Sequence, residues 1–159
     1  MLAKEYLNQV GIIDAKLKMI DANIERLRRE LYNLEDISLS SSWSDGQPHG
    51  MKITDPTGDK AVRLAEKNSE RREELRRQLS DYEYKQILVR SQLWAKRMEV
   101  IDTIGRIHDP KCYRLLTMRY VEGAKWELIA VDLDLTYQWV AGPLHSKALI
   151  LLQEVLDES

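Results

Sequence analysis

From Tyr6 onward, apolar residues fall at Val10, Ile13, Leu17, Ile20, Ile24, Leu27, Leu31 and Leu34, in steps that alternate four and three. That rhythm is the a/d seam of a coiled coil, sustained for about four heptads. Lys16, Lys18, Asp21, Glu25, Arg26, Arg28, Arg29 and Glu30 lie between and form a solvated face. The spacing predicts a helix over about 2–35, roughly 50 Å long at 1.5 Å per residue. A single helix has nothing to bury such a seam against. The seam therefore demands a partner helix, either in the same chain or in a second copy, where it would make a homodimer.

The partner within the chain lies downstream. Asp36 to Asp59 is crowded with serine, glycine and proline and has no periodicity, which reads as a flexible linker over about 36–59. Trp43, His49 and Met51 are its only adhesive residues, and His49 lacks the companions that a metal site requires. Beyond it, no proline interrupts the chain as far as Ile107 and no glycine before Gly105, so a second long helix spans about 60–107. Leu79, Tyr82, Val89 and Leu93 continue the three-four rhythm, and Ile87, Trp94, Met98 and Ile101 make a second stripe, which predicts neighbours on two sides. Trp94 is read as core. Gln86 falls on the seam, where a polar residue sets register at some cost in stability. Arg71, Arg72, Arg76 and Arg77 are interleaved with Glu70, Glu73 and Glu74, the pattern of a solvated face rather than a phosphate site. The expected arrangement is an antiparallel coiled-coil hairpin.

His108-Asp109-Pro110 ends that hairpin, with Asp109 able to cap a new helix and Pro110 tolerated at its first position. The chain is thus expected to be all-α, with a helical hairpin over 1–108 and a small helical domain over 109–159. After a helix over Lys111 to about Tyr120, Gly123 closes the turn. Trp126 to Leu144, WELIAVDLDLTYQWVAGPL, then reads as a helix-turn-helix. Two helices crossing near a right angle need a small residue at the contact and apolar residues around it. Ala130 supplies the first, and Ile129, Leu133, Leu135 and Val140 the second. The corner falls at Asp134-Leu135, and Thr136 caps the second helix. Pro143 inside that helix predicts a kink, or a stop near Ala141 with a new helix from Pro143. The closing segment has two apolar stripes, Leu144, Ala148, Leu151 and Val155 beside Leu149, Leu152 and Leu156, and is expected to be wedged between two neighbours.

Leu115-Leu116-Thr117-Met118-Arg119-Tyr120, Glu122-Gly123, Trp126-Glu127-Leu128-Ile129-Ala130, Leu133, Thr136-Tyr137, Val140, His145 and Ala148-Leu149 together resemble region 4 of sigma-70-type transcription factors. With the opening MLAKEYLNQV, the serine- and glycine-rich linker and the long second helix, nearly the whole chain is similar to a family of small sigma-like proteins encoded by phages and prophages of Gram-positive bacteria. These are related to phage late-gene transcription activators. The resemblance implies transcription control by sequence-specific binding of double-stranded DNA through a recognition helix from Thr136 onward. It implies no catalytic residues. At the corner, Asp134 stands where relatives usually carry glycine, and Ala141-Gly142 where they tend to carry a basic residue.

The candidate DNA-binding residues are Arg119, Lys125, Thr136, Tyr137, Gln138, Trp139, His145 and Lys147. Tyr137 and Gln138 are the base-edge candidates, because a glutamine amide pairs bidentately with adenine. Lys125 and Arg119 are phosphate candidates, with Glu122 a rival partner for Arg119. His145 and Lys147 reach the backbone of DNA if the helix continues past Pro143. Trp139 is expected either to stack on the ligand or to be buried against the long helices, and Trp126 to be core.

Charge tempers that reading. From Asp109 to Ser159 there are five basic and eight acidic residues, a net of −3, within a chain whose net charge is −2. Phosphate contacts supply most nonspecific affinity, so a weak or partner-dependent binder is expected, with host RNA polymerase a candidate partner. The rival reading is a structural or interaction module, a coiled-coil assembly or packaging component of the small-terminase kind, in which the corner only packs. No carboxylate pair with His, glycine-rich phosphate loop or metal-ligand cluster is evident, so neither enzyme activity nor a cofactor or metal is expected. The lone Cys112 suits a reducing compartment, and no apolar run reaches the roughly 18 residues of a membrane helix. A cytoplasmic protein of a bacterial host cell is expected.

Overall fold

The computed structural model describes residues 1–41 and 56–158, and every element among them is helical. Two long helices, α1 (Ala3–Ser41) and α2 (Pro56–Ile104), precede α3 (Pro110–Leu116), a π turn (Thr117–Val121), α4 (Trp126–Asp132), α5 (Tyr137–Trp139), a second π turn (Val140–Leu144) and α6 (His145–Asp157). Both long helices reach further into the expected linker than 35 and 60. Proline is tolerated in the first turn of a helix, where its missing N–H has no intrahelical partner to lose, so α2 starts on Pro56. Trp43, His49 and Met51 lie outside the described residues. None of the described helices is long and apolar enough to cross a membrane.

The chain forms two compact units. One comprises Met19–Ile87 and the other Met1–Lys18 together with Leu88–Ser159. The boundary expected at 108 falls inside the second.

In the Met19–Ile87 unit, α1 and α2 run antiparallel. Ile20, Ile24 and Leu27 of the α1 seam are buried, as is Leu75 of α2. Gln86 Nε2 donates to Asp21 Oδ1 at 2.5 Å across the seam, a polar pair that ties one register to the other helix. Three of the four clustered arginines are spent on ion pairs: Arg71 with Glu30, Arg77 with Glu74, and Arg76 with Glu35 at 3.1 Å. Arg28 meets Glu83 at 3.1 Å. Such exposed pairs contribute little each, up to about 1 kcal/mol.

The other unit is built on one apolar core. Ala3, Tyr6, Leu7 and Val10 of α1 and Leu93, Val100 and Ile104 of α2 join Cys112, Leu115 and Leu116 of α3, Ile129 and Ala130 of α4, and Ala148 and Leu152 of α6. Tyr6 Oη and Thr103 Oγ1 are bonded at 3.0 Å, and the Ala3 N–H donates to Gln153 Oε1 at 2.8 Å. The neighbours expected on either side of α6 are therefore the helix-turn-helix and the first turns of α1. Trp94, read from the sequence as core, is 68% exposed. The stripe it belongs to lies on the side of α2 away from this core.

Candidate nucleic-acid interface

Asp109 caps α3 as its position before Pro110 predicts. Its carboxylate accepts from the Lys111 and Cys112 N–H groups at 3.0 and 3.2 Å. The last turn widens into the π turn and closes on Gly123, whose φ of 71° suits glycine, while the Ala124 N–H donates to Met118 O at 2.8 Å. α4 follows with Lys125 as its N-cap. Its end is the sharp corner. Asp134 takes φ 53°, and the Leu135 N–H returns to Ala130 O at 2.9 Å. Asp is among the few residues that enter this left-handed region at modest cost. Thr136 Oγ1 then accepts from the Trp139 N–H at 3.3 Å and starts the second helix. Ala130 and Val140 are buried at the crossing, as the spacing predicts.

Helical structure continues through Gly142-Pro143 without a stop. Val140–Leu144 is a π turn that leads directly into α6. An extra residue in the turn shifts the carbonyls against which a proline ring clashes in an α-helix. The second helix of the corner is therefore longer than α5 alone.

The eight candidate residues divide into two groups. Thr136, Tyr137, Gln138 and Trp139 are contiguous and exposed at the start of the second helix, with Tyr137 49% and Trp139 52% exposed. The burial of Trp139 expected as one alternative is not found. Lys125, at the start of α4, is exposed and has no protein partner among the described residues.

Arg119, His145 and Lys147 are engaged within the protein. The Arg119 guanidinium lies 4.6 Å from the centroid of the Trp126 ring, and its Nη1 donates to Ala124 O at 3.0 Å rather than pairing with Glu122. His145 Nε2 is hydrogen-bonded to Tyr120 Oη at 2.9 Å, and its ring meets Trp126 edge-on at 5.0 Å. Burial, followed by the nearby Lys4 and Arg119 charges, holds the His145 pKa below its ordinary value, so the ring is neutral at pH 7. Although the helix continues as far as His145, the side chain turns inward. Lys147 Nζ pairs with Asp109 Oδ2 at 2.6 Å, and that bond, with the two backbone N–H groups, pulls the Asp109 pKa down to about 2.

Arg119, Tyr120, Trp126 and His145 thus form a scaffold cluster that locks the first π turn, α4 and α6 together. Sequence offered only spacing as a signal for it. Arg114 is similarly engaged, bonding Asp132 at 3.0 Å. Of the five cationic side chains after Asp109, those of Lys111 and Lys125 alone have no protein partner among the described residues. Cys112 is fully buried, and burial raises its thiol pKa to about 11, which suits an inert core residue. Among the described residues no group of three or more His, Cys, Asp or Glu side chains could hold a metal ion. Comparison of the chain with protein-family models, with curated proteins and with solved structures finds no match.

Proposed function

We propose that this chain is a transcriptional regulator that binds double-stranded DNA through the Thr136–Trp139 turn, in the manner of the sigma-like phage proteins it resembles in sequence. The supporting observation is the display of Tyr137, Gln138 and Trp139, side by side and exposed, on the first turn of the second helix of a tight corner. That turn is the part of a helix-turn-helix that enters the major groove. Gln138 is the base-reading group, Tyr137 and Trp139 add apolar and edge contacts, and Lys125 meets a phosphate. Two uncommitted cations make a weak electrostatic anchor. The dependence of log Kobs on log salt has a slope of about −0.9 per phosphate neutralised, so a value of about −2 per copy is expected. Affinity of that kind calls for help from a second bound protein, with host RNA polymerase as the candidate.

The test is fluorescence anisotropy of the purified protein with promoter fragments, alone and with polymerase, in a salt series. Replacing Gln138 and Tyr137 by Ala is expected to weaken specific binding about 10–100-fold, the equivalent of roughly 1–3 kcal/mol for one base contact. Binding that heparin competes away as well as duplex DNA does, and that ignores both substitutions, would falsify the reading.

A second reading, an interaction or assembly module, is favoured by a different observation. Leu128 and Val131 on α4 are 60% and 80% exposed, an apolar surface beside the corner that phosphate has no use for. It predicts that Leu128→Glu abolishes partner binding while DNA titrations stay flat.

A further inference from the structure

On α2, the buried seam at Val89, Leu93, Val100 and Ile104 has a counterpart on the opposite side. Ser91, Trp94, Met98 and Ile101 recur at steps of three, four and three, with Leu88 and Ala95 alongside. Trp94 sits roughly 140° around the helix from Val89, at about 100° per residue. Trp94, Leu88 and Met98 are 68%, 45% and 40% exposed, Ser91 and Ala95 are exposed, and Ile101 is half-buried. A helix with one buried face normally turns polar residues outward. This one is apolar on both sides.

We infer that this outer stripe of α2 is a homodimer interface, in which a second copy of the chain packs parallel and in register about a two-fold axis. Three observations select that occupant. First, three-four spacing is complementary to a helix that carries the same spacing, and the stripe carries it itself. Second, in-register pairing stacks like layers, so the small Ser91 layer leaves room beside the Trp94 layer. Third, the flanking charges complement each other. In a parallel pair, a residue at the g flank faces the e flank of the copy five positions on. Arg97 then faces Asp102 of the other copy, and the symmetry makes the contact twice. Asp102 is exposed without a protein partner among the described residues; Arg97 leans toward α1, 3.5 Å from Asp14 with its Nε buried and unpartnered, and exchanges that long contact for the one across the dimer. Antiparallel packing of Trp94 on Met98 would instead set Arg97 against Arg97. The α1 seam does not offer a rival contact between copies, since Ile20, Ile24 and Leu27 are already buried.

The apolar stripe presents on the order of 400 Å² per copy, close to the largest patch that monomers leave exposed. With its polar flanks, the pair approaches the lower bound of about 1,200 Å² for a specific interface, the size class of weak and transient contacts.

Sedimentation velocity of the full-length protein in a concentration series tests this. The wild-type mass is expected to rise from one chain of 18.6 kDa toward two. Trp94→Glu and Met98→Glu are each expected to weaken the dimer at least about tenfold. Both sites are exposed, so circular dichroism and thermal melting should match wild type. Ser91→Cys is expected to form an intermolecular disulfide on mild oxidation, while the parent protein, with only the buried Cys112, does not. A wild-type chain that stays monomeric throughout, or a dimer indifferent to both glutamates, overturns the interface. A dimer sensitive to them whose Ser91→Cys variant gives no disulfide overturns the parallel register. Neither result depends on whether the protein binds DNA.

Discussion

Asp134 occupies the left-handed backbone region at φ 53°, where a Cβ is unfavourable and glycine is at ease. Asp134→Gly is therefore expected to hold or raise stability, by up to about 1 kcal/mol, while Asp134→Val lowers it by about 1–3 kcal/mol. Urea denaturation of the two variants measures both. His145 gives a second residue-level expectation. Its folded pKa lies below that of the unfolded chain, so between the two values the unfolded state carries the extra proton. The contribution is whole above the unfolded pKa of about 6.5 and declines as pH falls through the folded value. Melting temperature should drop on acidification from neutral pH, and His145→Phe should flatten that part of the profile. Asp109 acts lower on the scale. Its pKa of about 2 means that its contribution is present above the unfolded value near 3.9 and is lost as pH falls toward 2. Asp109→Asn should blunt that acid limb. These two residues differ in legibility. The cap was readable from Asp109-Pro110, whereas the inward turn of His145 depends on Tyr120 and Trp126, remote in sequence and adjacent in space.

Among the elements, the helix that carries Gly142-Pro143 continues through a π turn, so of the two expected alternatives the stop near Ala141 is not found. An interior proline in an α-helix costs about 3 kcal/mol or more through a lost hydrogen bond and a ring clash. The Val140–Leu144 π turn relieves the clash in advance. Pro143→Ala is thus expected to change stability by less than about 1 kcal/mol, well short of the usual gain for removing such a proline. A gain near 3 kcal/mol in chemical denaturation would show that the turn leaves the strain in place. The hairpin seam, by contrast, was legible almost residue by residue, because the three-four rhythm needs only a facing helix. Even so, the rhythm does not say which stripe on α2 faces inward. Val89 and Leu93 are buried, and Trp94 is not.

At the scale of the molecule, the helix-turn-helix has no core of its own. Leu115, Leu116, Ile129 and Leu152 are completed by Leu7 and Val10 of α1 and by Val100 and Ile104 of α2. A fragment of residues 109–159 is consequently expected to lack a cooperative thermal transition and to give poorly dispersed amide resonances. Sharp, dispersed spectra from that fragment would contradict the shared core. His108-Asp109-Pro110 marks the end of a helix. It does not mark the end of a packing unit, and nothing in local sequence distinguishes the two.

Periodicity, caps and turn residues act over a few positions, and they were sufficient to determine that the described residues are helical, where α3 and α4 begin, and that α4 meets the next helix at a corner. Which charges remain free is a different kind of fact. Arg119, Arg114 and Lys147 look as available in sequence as Lys125, yet folding sets a tryptophan ring, an aspartate and a helix cap against them. An ion pair or a ring contact forms between atoms a few ångströms apart whatever their separation along the chain, so only the packed arrangement could assign those cations to the scaffold and leave Tyr137, Gln138 and Trp139 outside it.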